Sequence, residues 1–307
     1  MTKAAFIAGD WGTSRLRLYL CGADGTVLDR REGAGASVPD CAGRFAAAVA
    51  EWDLAYEDRV HGKLPAVLGG MVGSTIGWKE VPYLECPARP EAIAGAALKF
   101  EAGGRAIAIA PGLKCTNPAG APDVMRGEEV QILGALRLDP ALAKGRHLLC
   151  MPGTHVKWVV MEDGAVMRFQ TALSGELFEL LARHSVLARD GGAVDAESDA
   201  FALGLKTARD NDKAGLLHLL FSTRSRVVTG VMAKSGAASY LSGLIVGADV
   251  GAALNLFSAS RVPLVCSPLL AALYAKALDF YKVEAPVIDG DAAALAGLVQ
   301  IHTELSR

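Results

Sequence analysis

The sequence predicts an α/β protein made of two similar domains that face each other across a cleft. Residues 6–31 and 148–168 repeat one pattern: an apolar run, Gly-Thr with a polar residue after it, a second apolar run and Asp-Gly. Gly12 and Gly153 lie 153 − 12 = 141 residues apart, close to half of the 307-residue chain. Elsewhere, apolar runs alternate with segments of helical spacing, which indicates layered strands and helices.

The first half is assigned from apolar spacing and from its glycine and proline signals. The first repeat reads as a strand, a tight turn, a second strand and an Asp-Gly hairpin turn, since Asp-Gly between apolar runs favours a hairpin. We then predict a helix over 44–60, a strand entering a glycine-rich loop over 64–78, and a helix ending at paired glycines over 91–104. A buried strand follows over 105–112, and a turn with a short helix over 122–136.

The second half begins with the repeated hairpin. Ser174 is expected to cap a helix that runs through Leu187. The pattern then predicts three more helices and one strand–turn–helix unit. The helices span 198–208, a small-residue stretch near 235–257, and 291–305, and the strand–turn–helix unit spans 262–281.

The chain is expected to divide into two domains, residues 1–140 and residues 141–307. Proline and glycine interrupt the pattern around 136–146, and no low-complexity linker separates the halves. Each domain then carries one copy of the repeated turn. A return of the final helix toward the first domain is left open.

Composition excludes several functional classes. The net charge is −2 with no basic block, so we expect neither nucleic acid nor an anionic membrane as a partner. The amino-terminal residues enter a strand at once, and no uninterrupted apolar run is long enough to span a bilayer. The six cysteines are scattered without a CxxC motif, which is typical of reduced thiols in the cytoplasm. A homo-oligomer is compatible with the sequence but is not indicated by it.

The two Gly-Thr turns have the chemistry of phosphate sites. A glycine lets the backbone approach an anion, and exposed N–H groups in such a turn form a nest for phosphate oxygens. Asp10 precedes the first turn, where a carboxylate would repel phosphate unless a cation lay between them, so Asp10 suggests Mg²⁺. The simpler alternative is two ordinary hairpins. The candidate phosphate-binding residues are Gly12, Thr13, Ser14, Gly153, Thr154 and His155.

Two phosphate turns across a cleft suit ATP, and the absence of GxxxxGK[ST] excludes a P-loop enzyme. Phosphoryl transfer also requires a base for the attacking hydroxyl. Glu128 is the first candidate, because it lies in the first turn of a predicted helix where the dipole favours a carboxylate. Asp123 is the competing candidate, and Glu129 is expected to point elsewhere on the helix. Ordinary helix capping would also account for both glutamates.

The glycine-rich loop over 69–83 is the candidate acceptor site, since ligands usually bind at the carboxyl ends of strands in α/β sheets. Ser267 precedes Pro268 and is expected to cap a helix. The turn that it forms is the candidate adenine site, with an ordinary helix cap as the alternative. Lys157 and Arg15 follow the two turns and either neutralise phosphate or face solvent. The further candidates for substrate contact are Gly70, Met71, Trp78, Arg126 and Trp11, with core packing as the alternative for the tryptophans.

Several motifs together resemble known kinases. DWGTSRLR resembles the first phosphate motif of the actin, hexokinase and Hsp70 superfamily. A longer series resembles the 2-dehydro-3-deoxygalactonokinase family over nearly the whole chain and in the right order. PGTHVKW and MRGEE are the family-specific members of the series, which comprises residues 69–87, 122–135, 152–159, 171–181 and 240–249.

The resemblance implies two actin-like (ribonuclease H-like) domains around a nucleotide cleft. It implies a phosphotransferase with an alcohol acceptor, which uses Mg²⁺ and ATP to phosphorylate the 6-hydroxyl of 2-dehydro-3-deoxy-D-galactonate in galactonate catabolism. Glu128 stands where wider sugar-kinase relatives have a catalytic aspartate. This chain departs from those relatives in two places: GGMVG lacks their glutamine and histidine, and Cys266 replaces a usual glycine beside adenine.

Some alternatives stay open at this point. The acceptor carboxylate needs donors, and Arg15, Arg126, Lys79 or backbone N–H groups could supply them. The nearest rival function is a kinase for another keto-deoxy sugar acid or for a sugar. The next is an ATP hydrolase or activator on the same fold, for which a bound water would replace the sugar.

Overall fold

The structure, a computed structural model, describes residues 3–56, 62–189 and 191–307. Its residues fall into two units. Unit 1 comprises Met1–Arg146, Met161–Arg168 and Gly290–Arg307, and unit 2 comprises His147–Val160 and Phe169–Asp289. The division into domains 1–140 and 141–307 stays a prediction.

Unit 1 contains most of the first half of the chain. Its strands and helices, in chain order, are β1 (Ala4–Trp11), β2 (Arg15–Gly22), β3 (Val27–Ala34), α1 (Cys41–Tyr56), β4 (Ala66–Gly70), β5 (Leu84–Glu85), α2 (Pro90–Gly95), β6 (Leu98–Ala102), β7 (Arg105–Ile109), β8 (Leu113–Thr116), β9 (Pro122–Met125) and α3 (Glu128–Leu138).

Most of the remaining elements lie in unit 2. They are β10 (Arg146–Met151), β11 (Val156–Glu162), β12 (Ala165–Ala172), α4 (Ser174–His184), α5 (Asp199–Asp210), α6 (Leu216–Leu220), α7 (Ser222–Val228), α8 (Ala237–Phe257), β13 (Leu264–Cys266), α9 (Pro268–Phe280) and β14 (Val287–Asp289), followed by the final helix α10 (Gly290–Leu305). The tip of the β11–β12 hairpin and helix α10 belong to unit 1.

The two large sheets share one strand order. The six-stranded sheet runs β3-β2-β1-β4-β7-β6 and the five-stranded sheet runs β12-β11-β10-β13-β14. In the first, β4 is parallel to β1 and β7 is parallel to β4; in the second, β13 and β14 continue in parallel from β10. Each sheet therefore contains a three-strand meander followed by two parallel strands, and the first sheet adds β6 as an edge strand antiparallel to β7. The α/β fold class and the duplication that the repeated hairpin predicts are both confirmed.

The core of unit 1 lies on the first sheet. Trp11, Leu18 and Leu68 have at most 1% of their surface exposed, and α1 packs Phe45 and Trp52 onto the same cluster. Burying such side chains stabilises the fold by about 1.5–3 kcal/mol each. The strand carrying Asp10 is therefore anchored in a largely buried sheet.

Helix α10 packs against α3 in unit 1 at glycine positions. A Cβ at Gly134 would collide with the carbonyl oxygen of Ala293, and one at Gly297 would collide with that of Val130. This close contact fixes the axis of α3, whose first residue is Glu128.

The predicted helix over 91–104 is wrong beyond its first turns. Helix α2 ends at Gly95, and β6 and β7 form an antiparallel hairpin instead. The paired glycines Gly103 and Gly104, with φ of +58° and +74°, form the hairpin turn rather than a helix end. Alternating burial along β6 confirms the two-residue period of a strand.

Three boundaries also differ from the predictions. Helix α1 begins at Cys41 rather than at residue 44, and residues 57–60 of the predicted helix lie outside the described residues. The turn expected near 122 is strand β9, which pairs with β8. Ser174 is the first residue of α4 and makes no capping hydrogen bond, and this helix ends at His184.

Helix α8 is long and strongly apolar. With the preceding turn it spans Lys234–Phe257, which is long and apolar enough to cross a membrane by length and composition. However, 67% of its most apolar window is buried inside the structure, so packing against the neighbouring helices accounts for its apolar surface.

Candidate active site

The first turn joins β1 to β2 in unit 1. The Gly12 N–H donates to the Arg15 carbonyl oxygen at 2.9 Å, which closes the turn. The chain after β3 then covers it, because the Ala36 N–H donates to Gly12 O and the Ser37 N–H donates to Thr13 O, both at 3.0 Å. The side chains of Thr13 and Ser14 are exposed. The turn is thus rigid in its backbone and open at its hydroxyl groups.

The second turn, between β10 and β11 in unit 2, is held in the same way. The Glu176 N–H donates to Thr154 O at 2.9 Å, and the His155 ring nitrogen Nε2 lies 2.6 Å from Glu176 Oε2. A Cβ at Gly175 would collide with Gly153 O, so α4 starts directly against the turn. Lys157 is buried and its Nζ donates to His155 O at 3.2 Å, which places this lysine beneath the turn rather than in solvent.

Asp10, at the end of β1, has a charged partner that the sequence analysis missed. Arg17 lies directly opposite Asp10 in the β1–β2 register and donates from Nη2 to Asp10 Oδ2 at 2.6 Å. Arg17 also contacts Asp291 of α10 through Nη1. Burial raises the pKa of Asp10 against the opposing effect of Arg17, and the nearby Glu128 charge raises it further. Opposite charges at facing positions of two neighbouring strands were the available signal.

The two glutamates at the start of α3 have different surroundings. Glu128 is half-buried, and its Oε2 accepts a hydrogen bond from the Arg126 N–H at 3.1 Å. Glu129 is completely buried, and its Oε2 accepts from the Gly127 N–H at 2.7 Å, while its Oε1 has no partner within the described residues. Burial first, and the Glu128 charge second, raise the pKa of Glu129 to about 8.

Asp123 lies on β9 and is engaged locally. Its Oδ1 accepts from the Val124 N–H at 2.8 Å and its Oδ2 lies 3.4 Å from the Asn117 amide nitrogen. Glu128, by contrast, is an electrostatic neighbour of Asp10 beside the first turn. This placement favours Glu128 over Asp123 as the base.

The acceptor loop meets the start of α3. Gly70 has φ of +88°, and a Cβ there would lie 2.6 Å from Trp11 O, so only glycine suits this position. A Cβ at Gly127 would lie 3.5 Å from Gly70 Cα. Met71 follows in a 3₁₀ turn and is partly buried. The loop and the candidate base are therefore neighbours in unit 1.

The tryptophans are mainly core residues. Trp11 has no exposed surface and lies beneath the Arg44 guanidinium at 5.4 Å, which agrees with the core-packing alternative rather than substrate contact. Trp78 packs between Phe45 and Phe100, with ring centroids 5.5 Å from each. Trp78 is partly exposed, so part of this residue lies at the surface of the acceptor loop.

Ser267 and Leu269 are exposed at the start of α9, the candidate adenine position in unit 2. Ser267 occupies the N-cap position with Pro268 following, but its hydroxyl makes no capping hydrogen bond. Cys266 is buried, and burial raises the pKa of its thiol to about 12.

A buried carboxylate in unit 2 links three parts of the candidate nucleotide site. Asp249 of α8 accepts hydrogen bonds from Trp158 Nε1 at 2.9 Å, from Ser174 Oγ at 2.8 Å and from Tyr274 Oη at 2.8 Å. These donors lie on β11 after the second turn, at the start of α4, and on α9. Asp249 gives no signal in the sequence, because it stands alone in a long apolar helix.

The chain is similar in sequence to a family of kinases. Residues 10–301 match the sequence model of the 2-keto-3-deoxy-galactonokinase family. A Rhizobium meliloti (strain 1021) protein named "Probable 2-dehydro-3-deoxygalactonokinase DgoK1" is 39% identical over 303 residues, which cover 97% of each chain. The chain belongs to the 2-keto-3-deoxy-galactonokinase family.

Two further relatives agree with this membership. The 2-dehydro-3-deoxygalactonokinase of Escherichia coli (strain K12) is 35% identical over 300 residues, again 97% of each chain. A crystal structure of a candidate 2-dehydro-3-deoxygalactonokinase from Sinorhizobium meliloti superposes with a TM-score of 0.88 at 36% identity, covering 98% of this chain and 99% of that one.

A more distant solved structure shows the fold alone. Component A of (R)-2-hydroxyglutaryl-CoA dehydratase from Acidaminococcus fermentans has a TM-score of 0.51 at 11% identity, over 98% of this chain and 99% of that one. The family members and this neighbour together confirm the mixed α/β, actin-like sugar-kinase fold. The family is one of kinases that act on an alcohol group, as the resemblance implies.

Proposed function

We propose that this chain transfers the γ-phosphoryl group of ATP to the 6-hydroxyl of 2-dehydro-3-deoxy-D-galactonate. Family membership over nearly the whole chain supports the reaction. The observation that carries the proposal within the structure is the position of Glu128. It begins α3 beside the acceptor loop and is an electrostatic neighbour of Asp10 at the first turn.

We propose Glu128 as the general base. Its carboxylate accepts the proton of the 6-hydroxyl as that oxygen bonds to the γ-phosphorus and the bond to the β-phosphate oxygen breaks, which releases ADP. The hydrogen bond from the Arg126 N–H holds the Glu128 carboxylate in place before the reaction. Asp123 is the alternative base.

Each of the two turns is proposed, within its own unit, to bind phosphate oxygens of ATP. Thr13, Ser14 and Thr154 present exposed hydroxyl groups, and the turns that carry them are fixed by backbone hydrogen bonds. Rigid donors aimed at a phosphoryl group stabilise charge without reorganising during the reaction. Lys157 supports the second turn from below, and Ser267 with its neighbours is assigned to the adenine end.

Asp10 fits a Mg²⁺ ion that is held largely by phosphate and water. Mg²⁺ typically takes one or two protein carboxylates and completes its octahedron with phosphate oxygens and water. Asp10 supplies one carboxylate at the edge of the turn with Glu128 nearby, and no cluster of three His, Cys, Asp or Glu side chains occurs in the described part of the chain. When bound, Mg²⁺ would neutralise negative charge on the phosphates.

The setting of the reaction is also part of the proposal. Sugar acid and ATP are the proposed partners in galactonate catabolism, and the cytoplasm is the proposed location, where ATP and reduced thiols both occur. The six cysteines are all free in the structure. No nucleic acid and no membrane surface has a role in this account.

The assignment of the base is tested by ADP release with Mg²⁺·ATP and the sugar acid. We expect Glu128→Gln to lower kcat by about 10²–10⁴-fold, the usual contribution of general base catalysis. Glu91→Gln is the control, because Glu91 is also a first-turn glutamate, on α2, but it is exposed and lies outside the proposed site, so kcat should stay unchanged. Acceptor-dependent release that survives in Glu128→Gln and collapses in Asp123→Asn would move the base to Asp123.

A further inference from the structure

Arg126 lies between the candidate base and the acceptor loop. Its backbone N–H donates to Glu128 Oε2, and its guanidinium Nη2 donates to Val81 O in the loop at 2.7 Å. The guanidinium carbon lies 4.3 Å from the centre of the Tyr83 ring. A Cβ at Gly73 would lie 2.9 Å from Nη1, so this glycine provides space beside the guanidinium.

The guanidinium of Arg126 has unused donors. Its Nε and Nη1 atoms are buried and have no acceptor among the residues that the structure describes. Arginine stays charged at any physiological pH, and a buried charge without enough acceptors is unfavourable. The nearby Glu129 does little to neutralise it, because a pKa of about 8 keeps that acid protonated at neutral pH.

The other two cations considered for the acceptor carboxylate have partners. Arg15 is exposed and donates to Glu32 Oε1 at 2.7 Å. Lys79 directs its Nζ over the Phe100 ring, 4.2 Å from the centre. Arg126 is the one of the three with buried N–H groups that lack an acceptor.

We propose that Arg126 binds the carboxylate of the sugar-acid acceptor and so selects acids over neutral sugars. The proposal rests on the proposed function, since it assumes that the acceptor is a sugar acid. A six-carbon acid has its carboxylate and its 6-hydroxyl at opposite ends, so Arg126 would hold one end while Glu128 serves the other. Tyr83 covers one face of the guanidinium and is 37% exposed, and in this proposal its ring moves aside to admit the acid.

The test compares the sugar acid with its neutral C1 amide. Wild type should prefer the acid over the amide in kcat/KM by roughly 10- to 150-fold, the value expected of charge-assisted hydrogen bonds. Arg126→Gln should abolish that preference by raising KM for the acid, with KM for ATP unchanged. Arg209→Gln is the matched control, since Arg209 also lies 4.3 Å from an aromatic ring, that of Phe280, and it should keep the preference.

A purely structural role for Arg126 would lower the active fraction without changing the ratio of acid to amide. An unchanged ratio in Arg126→Gln would therefore overturn the proposal while leaving the kinase function intact. If Arg126→Gln does not fold, Arg126→Lys replaces it, and we expect a reduced but measurable preference because the charge remains without the planar donors.

Failure of the proposed function gives a different pattern. If wild type does not phosphorylate the acid, equilibrium binding of the acid and the amide is measured by calorimetry without ATP. Preferential binding of the acid that Arg126→Gln abolishes would support the role of Arg126 independently of catalysis. Equal binding of acid and amide by wild type, or no binding of either, would overturn it.

Discussion

Glu129 should make the stability of unit 1 depend on pH. It is completely buried, one carboxylate oxygen has no partner among the described residues, and burial raises its pKa to about 8. Between pH 4.5 and pH 8 the folded chain holds this proton while the unfolded chain releases it. The unfolded state therefore binds fewer protons, and the free energy of unfolding falls as pH rises through this window.

The size of the effect follows from the two pKa values. A change from the ordinary value of 4.5 to about 8 corresponds to about 5 kcal/mol at 1.36 kcal/mol per pH unit. The contribution is fully present below pH 4.5 and is lost above pH 8. Between pH 5 and pH 8 the loss amounts to about 4 kcal/mol.

Glu129→Gln removes this dependence because glutamine has nearly the same shape and does not titrate. Urea unfolding of wild type and variant from pH 5 to pH 8 gives the difference in their pH slopes, in which all other titrating groups cancel. The expected result is a variant that gains stability relative to wild type as pH rises. Glu91→Gln, which alters an exposed glutamate, should follow the wild-type profile. Parallel profiles for wild type and Glu129→Gln would refute the reasoning.

Two further predictions concern packing and the nucleotide half-site. Gly134→Ala should destabilise the chain by about 1–3 kcal/mol or more, because the new methyl group collides with the backbone of α10, whereas Gly95→Ala, with open space around it, should be neutral or stabilising in thermal melts. Tyr274→Phe should cost about 1–2 kcal/mol of stability and raise KM for ATP but not for the sugar acid, since it removes a donor from Asp249. The control is Tyr240→Phe, which alters a buried tyrosine on α8 and should leave both KM values unchanged. If Tyr274→Phe raised KM for ATP and KM for the sugar acid equally, that result would contradict the role of Asp249.

Much of the fold is readable from the sequence because it is repeated. The Gly-Thr turns and the Asp-Gly hairpins recur at half-length, and each copy forms three neighbouring strands of one sheet. The error at 91–104 has a physical cause, since Gly103-Gly104 can end a helix or turn a hairpin and only pairing between β6 and β7 decides. The short strands β5 and β14 were not predicted because they are two and three residues long and pair with strands elsewhere in the chain. Strand β8 was missed together with its local partner β9, where only a turn was expected.

The candidate site is less readable from sequence. Motifs locate Asp10 and Glu128, but they give neither the burial of Glu129 nor the contact of Arg17 with Asp10. Burial and unpaired donors are properties of the packed chain. This is also why three cations were equivalent in sequence, whereas their contacts now distinguish Arg126.

The most direct test of the central claim is acceptor-dependent ADP release by wild type with Mg²⁺·ATP. The acceptors compared are 2-dehydro-3-deoxygalactonate, its gluconate epimer and plain hexoses, beside a reaction with no acceptor, and phosphorus NMR locates the phosphate on the product. The account predicts release that requires the galactonate-derived acid and a phosphate on its 6-oxygen. Equal release without any acceptor would contradict the kinase function and favour an ATP hydrolase, and a preference for a plain hexose would contradict a sugar acid as the substrate.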